Sequence, residues 1–378
     1  MALAAATASA DMDNSGSGKK CSHLNVPVNV KARTGVFDYT PTNDEIDTTN
    51  FFLEFTKAGA NYTDELLTGY DTIEKQYKLA ATYCTPASGP GDTIQILTHG
   101  VGFDRSYWDY PFNNYNYSYV DRAIEQGYST LSWDRLGIAD SSHGDPVNEI
   151  QLFTEVEALH QLTMRVDNGN LCGMNEHRFK NKVHVGHSFG SAMTYRLSTL
   201  YPDISDAIVL TGFSQAPGFL GLFALGSNFV PVSTIDSLKG KYDVGYIAPR
   251  DSVGVHIDFF APGDFDPEML KDSTMNGQPA AFGELLTIGA AAAAPNPFTG
   301  AVQIITGDRD IPFCGGNCKN TMAINGSAEN LLEFSRPMFE QAKAFNATIV
   351  PNGGHGLNFG YSHTFTYSAI LDFLKAEL

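Results

Sequence analysis

Short apolar runs alternate with longer amphipathic stretches along most of the chain. The runs are rich in β-branched and aliphatic residues and have the length of buried strands. They are Thr93–Thr98, Tyr128–Trp133, Lys182–Val185, Ala207–Thr211, Ala301–Thr306 and Ala347–Val350. Two earlier tracts, Val26–Asp38 and Tyr77–Thr85, are predicted to be antiparallel strands that open the same sheet.

The stretches between these runs have a helical period. In Glu149–Val166, apolar residues recur every three or four positions, which marks one buried helix face. Ser191–Leu200, Ala328–Phe345 and Thr366–Leu378 are similar. This alternation predicts an α/β fold with a mostly parallel central sheet covered by helices on both faces.

Residues 216–298 break the alternation. They are rich in Gly, Phe, Leu, Pro and Ala, show little strand pattern, and are too long for a plain connection. An inserted helical cap is therefore predicted there. The expected organisation is a flexible tail or processed signal remnant (1–20), a first core part (21–215), the cap or lid (216–298) and a second core part (299–378).

Composition narrows the possible partners. Of the 378 residues, 43% are hydrophobic and 17% are charged, which excludes a disordered chain. The net charge of −18 argues against a nucleic-acid partner. No apolar run is long enough to span a membrane, and no cysteine or histidine spacing is that of a zinc site. We expect no metal and no cofactor, so chelators should leave activity intact. The sequence does not indicate an oligomeric state.

Several features favour a secreted glycoprotein. Residues 1–10 are small and apolar and end in Ala-Ser-Ala, but they lack a basic region, so they are at most a signal-peptide stump or a tag scar. Asn-x-Ser/Thr glycosylation sequons begin at Asn61, Asn116, Asn325 and Asn346.

The five cysteines leave two interpretations open. They are Cys21, Cys84, Cys172, Cys314 and Cys318. Cys314 and Cys318 enclose only Gly-Gly-Asn, a flexible segment that allows the two to approach, so a local disulfide is predicted there. The alternative is a pair of reduced cysteines on a loop.

One pentapeptide has the pattern of a nucleophile turn. Residues 186–190, Gly-His-Ser-Phe-Gly, fit G-x-S-x-G and stand between a predicted strand and a predicted helix. The glycines would relieve crowding around a strained Ser188. Ser188 would sit at a helix N-terminus, where the Phe189 amide could bind an oxyanion. The alternative is an ordinary glycine-rich turn.

Two further turns follow predicted strands. His99-Gly100-Val101-Gly102 comes directly after Thr93–Thr98, and the Val101 amide would be the second oxyanion donor. His99, Gly100, Gly102 and His187 are candidate substrate-binding residues. Asp134 and Arg135 follow the next strand, and a structural role in bracing neighbouring loops is predicted for them.

Two acids and one histidine complete the candidate chemistry. Asp308 and Asp310 both follow Ala301–Thr306. The G-x-x-D-x-P register favours Asp310 as the acid, with Asp308 capping the turn. His355 follows the last predicted strand between glycines, which would let the imidazole approach a serine closely.

The order Ser188, Asp310, His355 resembles that of the α/β-hydrolase superfamily. The resemblance covers about residues 90–378, and the segment from His99 to Asp109 is similar to secreted fungal α/β-hydrolase-1-type proteins. It implies a serine esterase with a Ser-His-Asp triad and an acyl-enzyme. Aromatic residues in and beside the predicted cap suggest an apolar pocket, so the expected substrate is an apolar carboxylic ester, lactone or related acyl bond such as a thioester. A peptidase, a C–C hydrolase, an acyltransferase or a non-catalytic ligand-binding protein remain alternatives.

Overall fold

The computed structural model describes residues 7–9, 18–171, 174, 177–292 and 294–378. Its strands are β1 (Thr7–Ser9), β2 (Lys19–Phe37), β3 (Leu67–Pro86), β4 (Thr93–Thr98), β5 (Ser129–Trp133), β6 (Asn181–His187), β7 (Ala207–Thr211), β8 (Phe229–Pro231), β9 (Tyr246–Pro249), β10 (Ala280–Ala281), β11 (Ala301–Gly307) and β12 (Ala344–Val350). The 9-stranded main sheet has the order β1-β2-β3-β5-β4-β6-β7-β11-β12.

The helices lie between these strands. They are α1 (Glu45–Phe55), α2 (Tyr62–Leu66), α3 (Phe112–Tyr115), α4 (Tyr119–Glu125), α5 (Leu152–Asp167), α6 (Phe189–Leu200), α7 (Leu220–Gly226), α8 (Ser252–Phe259), α9 (Pro267–Met275), α10 (Phe282–Thr287), α11 (Ile311–Cys314) and α12 (His363–Glu377). Short 3₁₀ turns occur at Arg105–Trp108, Val232–Thr234, Ile288–Ala290, Thr321–Ile324 and Glu333–Phe339.

The predicted parallel sheet is confirmed. From β5 to β12 every neighbouring pair in the main sheet is parallel. Both faces of its central strands are buried: Ala207 and Val209 pack into one hydrophobic cluster, while Ile208 and Leu210 pack into another. Because parallel strands are covered by helices on both sides, their sequences are mainly apolar, which is why the short runs identified them.

The opening antiparallel strands are longer than predicted. β2 pairs with β3 from Lys19 opposite Pro86 to Phe37 opposite Leu67. Lys19 and Lys20 thus belong to a strand and not to the tail in which the sequence placed them. The Lys19 ammonium is buried and contacts Asp109 and Asp121 at 2.7 and 2.8 Å, so two carboxylates compensate its charge.

The insertion between β7 and β11 is more mixed than the predicted helical cap. It contains α7 to α10 and also a 3-stranded antiparallel sheet in the order β10-β9-β8. These strands have two to four residues each, too few to produce a recognisable alternation in the sequence. Whether residues 216–298 act as a lid stays a prediction.

The predicted helix over Ala328–Phe345 is wrong. Only a 3₁₀ segment, Glu333–Phe339, forms there, and β12 already begins at Ala344. Pro337 lies inside the segment, where it lacks an amide donor and would clash with the preceding turn of an α-helix. The apolar positions pack against the sheet without a continuous helix.

Two disulfides are present in the described part of the chain. The predicted pair Cys314–Cys318 is formed, and Cys21–Cys84 joins β2 to β3 at opposed positions. Cys172 lies outside the described residues. The four sequon asparagines are all exposed. Among the described residues, no helix combines the length and the apolar character that a membrane crossing requires.

Candidate active site

Ser188 lies at the turn between β6 and α6, at the carboxyl edge of the parallel sheet. Its backbone has φ 55° and ψ −117°, a left-handed conformation that costs a non-glycine residue energy. The turn is also tightly enclosed. A β-carbon at Gly186 would lie 2.3 Å from the Gly190 carbonyl oxygen, and one at Gly190 would lie 2.3 Å from the Thr98 carbonyl oxygen. Only glycine fits at either position.

His355 and Asp310 meet at the same edge of the sheet. His355 follows β12 and Asp310 follows β11, and the imidazole Nδ1–H donates to Asp310 Oδ2 at 2.7 Å with both side chains fully buried. The other contacts of the carboxylate are Thr306 Oγ1, which donates to Oδ2 at 2.5 Å, and the Phe313 amide, which donates to Oδ1 at 2.7 Å. The carboxylate is therefore held in one orientation.

Asp308 has a different environment from Asp310. Its side chain is partly exposed and pairs with the Lys319 ammonium at 3.0 Å. Its amide donates to Val350, and its carbonyl accepts from the Cys318 amide. The Cys318 half of the local disulfide thus anchors the turn that carries the acid. Asp308 contributes to this turn and does not contact His355.

Ser188 and His355 both lie against the carboxyl end of β7. The Ser188 amide donates to the Thr211 carbonyl at 2.9 Å, and a β-carbon on the next residue, Gly212, would lie 2.8 Å from His355 Cε1. His355 Nε2 is buried and has no hydrogen-bond partner in the described part of the chain, so it is not bonded to the Ser188 hydroxyl. Such bonds are often long in free enzymes and tighten when substrate binds.

The two candidate oxyanion amides flank the serine. Phe189 is the first residue of α6, so no intrahelical carbonyl is available to its N–H. Val101 follows Gly100, at which a β-carbon would lie 2.8 Å from Ser188 Cβ. The main chain at 100–101 is therefore packed directly against the serine, as an oxyanion donor must be.

His99 and Arg135 hold this turn from behind. His99 Nδ1 donates to the Gly100 carbonyl at 2.8 Å, and its Nε2 accepts from the Arg135 amide at 3.1 Å. Burial, together with the nearby Arg135 charge, lowers the pKa of His99 well below its usual value, so the ring stays neutral. His99 therefore supports the backbone of the turn; both of its nitrogens are occupied by protein groups.

Arg135 and Asp134 have the bracing role predicted for them. The guanidinium is fully buried, pairs with Glu155 at 2.7 Å and with Glu284 of α10, and stacks on the Phe189 ring at 4.7 Å. Asp134 accepts from the Arg105 amide and forms an ion pair with its guanidinium. These contacts connect the core, the insertion and the Phe189 turn.

Aromatic rings cover the edge of the sheet that carries Ser188 and His355. Phe259 of α8 lies 5.9 Å from the His355 ring and 4.7 Å from Phe103, and Phe313 lies 5.7 Å from His355 on the acid turn. Ser188 is only 8% exposed. A cleft of about 460 Å³ lies beyond these rings, lined in part by Asp104, Tyr110 and Gln278.

A family model described as the alpha/beta hydrolase family matches residues 95–365, which is most of the chain. The chain belongs to the alpha/beta hydrolase family. No curated protein matches the sequence.

Solved structures share the alpha/beta hydrolase fold with this chain. An esterase from Thermogutta terrifontis has a TM-score of 0.53 at 14% identity, over 80% of this chain and 94% of that one. A bromoperoxidase from Bacillus anthracis has a TM-score of 0.52 at 19% identity, over 80% and 96%. An esterase from Exiguobacterium antarcticum has a TM-score of 0.50 at 16% identity, over 79% and 96%. At these identities the likeness concerns the fold alone.

Sequence reasoning missed some residues around this alpha/beta hydrolase site. Thr306, which binds the acid, is the last residue of a predicted strand, and nothing in the run distinguishes it from a buried strand position. Thr211 ends β7 and bonds to the His187 ring at 3.1 Å. Both stand at carboxyl ends of parallel strands, which is the signal that could have identified them.

Proposed function

We propose that this alpha/beta hydrolase is a serine esterase that cleaves an apolar carboxylic ester, lactone or related acyl bond through an acyl-enzyme. Ser188 is the nucleophile, His355 the base and Asp310 the acid that orients the histidine. The observation that carries the proposal is the buried 2.7 Å bond between His355 Nδ1 and Asp310, beside a serine held in a left-handed turn.

Each catalytic step has a residue positioned for it. His355 keeps its ring proton on Nδ1, which is hydrogen-bonded to Asp310, so Nε2 is available as a base. Nε2 takes the hydroxyl proton of Ser188 as Oγ attacks the acyl carbon. The Phe189 and Val101 amides stabilise the oxyanion, at roughly 3 kcal/mol per donor. His355 then returns the proton to the leaving oxygen, and water releases the acyl group by the same route.

The surroundings of the site favour an apolar substrate. Phe103 and Phe259 border the edge of the sheet that carries the proposed triad. The nearby cation Arg135 is already paired with two glutamates, so it is not available to bind an anionic substrate. A small cavity lined by both rings and by Gln278 adjoins the larger cleft, which Gln278 also lines. We infer that substrate enters from this cleft once the Phe103 and Phe259 rings, which are in contact at 4.7 Å, have moved apart.

We also propose that the protein is extracellular and N-glycosylated. Disulfides persist in oxidising compartments, and Cys21–Cys84 and Cys314–Cys318 are both formed. Asn61, Asn116, Asn325 and Asn346 are all exposed. Peptide-N-glycosidase treatment of protein from a eukaryotic secretion host should lower the apparent mass, and Asn→Gln substitution at all four sites should abolish that change.

A fluorophosphonate probe tests the nucleophile directly. Wild-type protein should be labelled, and Ser188→Ala should not. Ser191→Ala is the matched control, because Ser191 lies one helical turn further on and its hydroxyl donates to the Thr211 carbonyl; it should still be labelled. Labelling that persists in Ser188→Ala would refute Ser188 as the nucleophile. No labelling of the wild type would refute the serine-hydrolase proposal and favour ligand binding.

Substrate panels separate the remaining chemistries. p-Nitrophenyl esters of increasing chain length should be hydrolysed, with a preference for apolar acyl groups. Peptide anilides, β-diketones and ester-plus-alcohol mixtures test the peptidase, C–C hydrolase and acyltransferase alternatives. Faster turnover of any of these than of every ester would replace the esterase assignment while retaining the triad.

A further inference from the structure

His187 has a ring nitrogen that the triad does not use. The side chain is completely buried, yet its Nε2 has no hydrogen-bond partner in the described part of the protein. An unpaired buried polar atom destabilises the folded protein, so one in the residue next to the proposed nucleophile calls for an explanation.

The partner of the other nitrogen assigns the proton to Nε2. His187 Nδ1 lies 3.1 Å from Thr211 Oγ1. The buried Thr211 hydroxyl has no other acceptor in the described part of the chain, so it donates to Nδ1 and leaves the ring proton on Nε2. The opposite tautomer would leave two buried groups unsatisfied instead of one. Burial, followed by the influence of His355 and His99, lowers the pKa of His187 well below its usual value, so the ring carries a single proton.

The His187 ring lies between Ser188 and His355, with Cδ2 on the serine side and Cε1 on the histidine side. A β-carbon at Gly100 would lie 3.1 Å from His187 Cδ2 and 2.8 Å from Ser188 Cβ. A β-carbon at Gly212 would lie 2.8 Å from Cε1 and 3.0 Å from Nδ1 of His187, and 2.8 Å from Cε1 of His355. Nε2 is bonded to both Cδ2 and Cε1 and is therefore located between these two positions. The ring centroids of His187 and His355 are 4.9 Å apart.

We propose that His187 Nε2–H donates a hydrogen bond to the alcohol-side oxygen of the bound ester and so makes the enzyme selective for oxygen esters. The inference rests on the proposed esterase function. The leaving oxygen must lie near His355 Nε2, which protonates it, and His187 approaches that side of the site. The carbonyl oxygen already has the Phe189 and Val101 amides.

Stacking holds the donor in place. The Tyr107 ring is parallel to the His187 ring at 4.5 Å and 16°, and Phe103 lies 5.9 Å away. With Thr211 on one nitrogen and Tyr107 on one face, the imidazole has little freedom to turn Nε2 elsewhere. A preorganised donor of this kind loses no orientational freedom when substrate binds.

The test compares an oxygen ester with the thioester of the same acyl group, because thioester sulfur is a weak acceptor. His187→Phe keeps the stacked ring without the donor, and His187→Gln keeps a side-chain N–H. The ester-to-thioester ratio of kcat/KM should fall about tenfold or more in His187→Phe and less than about threefold in His187→Gln.

Each result decides the inference. Equal losses on both substrates, or no loss on the ester, would overturn it, since a structural or oxyanion role affects ester and thioester alike. If His187→Phe is not recovered folded, His187→Leu decides: it also removes the donor while keeping an apolar side chain, and an ester-selective loss supports the inference while an equal loss or none overturns it. A wild type that hydrolyses neither substrate would refute the esterase proposal instead.

Discussion

Replacing Asp310 by asparagine changes one atom and should disable the proposed base. The carboxylate accepts three hydrogen bonds, from His355 Nδ1, Thr306 Oγ1 and the Phe313 amide. An asparagine side chain has one oxygen and one NH₂ group. If the NH₂ group faces Phe313, two donors oppose each other. If it faces His355, the imidazole must move its proton to Nε2 and can no longer accept one from Ser188.

The magnitude follows from the tautomer. Loss of the correct tautomer in a Ser-His-Asp triad costs about 10³–10⁴ in kcat, which corresponds to about 4–5.5 kcal/mol of activation free energy. The fold should persist, because the asparagine fills the same volume. We therefore expect kcat to fall by that factor while the melting temperature changes by only a few degrees.

Asp308→Asn is the matched control, two residues away. It removes a partly exposed ion pair with Lys319, which is worth about 0–1 kcal/mol in stability. Its kcat should stay within about twofold of the wild-type value, because Asp308 does not contact His355.

The assay is hydrolysis of p-nitrophenyl butyrate by purified wild type, Asp310→Asn and Asp308→Asn, with thermal unfolding of all three. A larger loss in Asp308→Asn than in Asp310→Asn would exchange the two acids. Wild-type kcat in a folded Asp310→Asn would refute the role of the buried contact altogether.

Three further perturbations probe the surroundings of the site. Phe259→Ala removes a ring that is 2% exposed and lies beside His355. It should lower the free energy of unfolding by about 3–5 kcal/mol, measured with denaturant, and raise the kcat/KM of bulky esters relative to small ones. Unchanged selectivity would show that Phe259 does not line the substrate site. Burial raises the pKa of the Asp258 carboxyl well above its usual value, so the folded state retains a proton that the unfolded chain loses above its own pKa of about 4. Wild-type stability should therefore fall as the pH rises from 4, by at most about 1.4 kcal/mol per unit, and Asp258→Asn should flatten this fall; equal pH profiles would contradict it. Replacing Cys314 and Cys318 by serine should lower the free energy of unfolding by about 2 kcal/mol, as expected for so short a loop, and thermal unfolding measures this loss. An unchanged melting temperature would show that the disulfide does not stabilise the turn that carries Asp310.

The sequence pattern was sufficient to predict an element where the residues of that element alone determine its secondary structure. Thr93–Thr98 and Ala207–Thr211 form strands with the predicted bounds, because short runs rich in β-branched and aliphatic residues are typical of a strand covered on both faces. Pattern failed at Ala328–Phe345, where apolar spacing suggested a helix and Pro337 prevents one. It also failed in the insertion, whose strands are too short to show a period.

Long-range partners were not readable from the chain. The pairing of Cys21 with Cys84 depends on the register of β2 against β3, and the sequence left this open. The ion pairs of Arg135 join residues 20 and 149 positions away. A residue's type states which bonds it can make, whereas its partners depend on which strands and helices become neighbours.

The chain by itself determined the sheet, the strained turn at Ser188 and the order of serine, acid and histidine, since each depends on residues close in sequence. Tertiary structure decided that Asp310 and not Asp308 contacts His355 and that Phe259 covers the site. It also decided that one nitrogen of His187 has no hydrogen-bond partner among the residues that the structure describes. The reason is that burial and hydrogen bonding belong to pairs of distant residues, and only the packed sheet edge brings those pairs together.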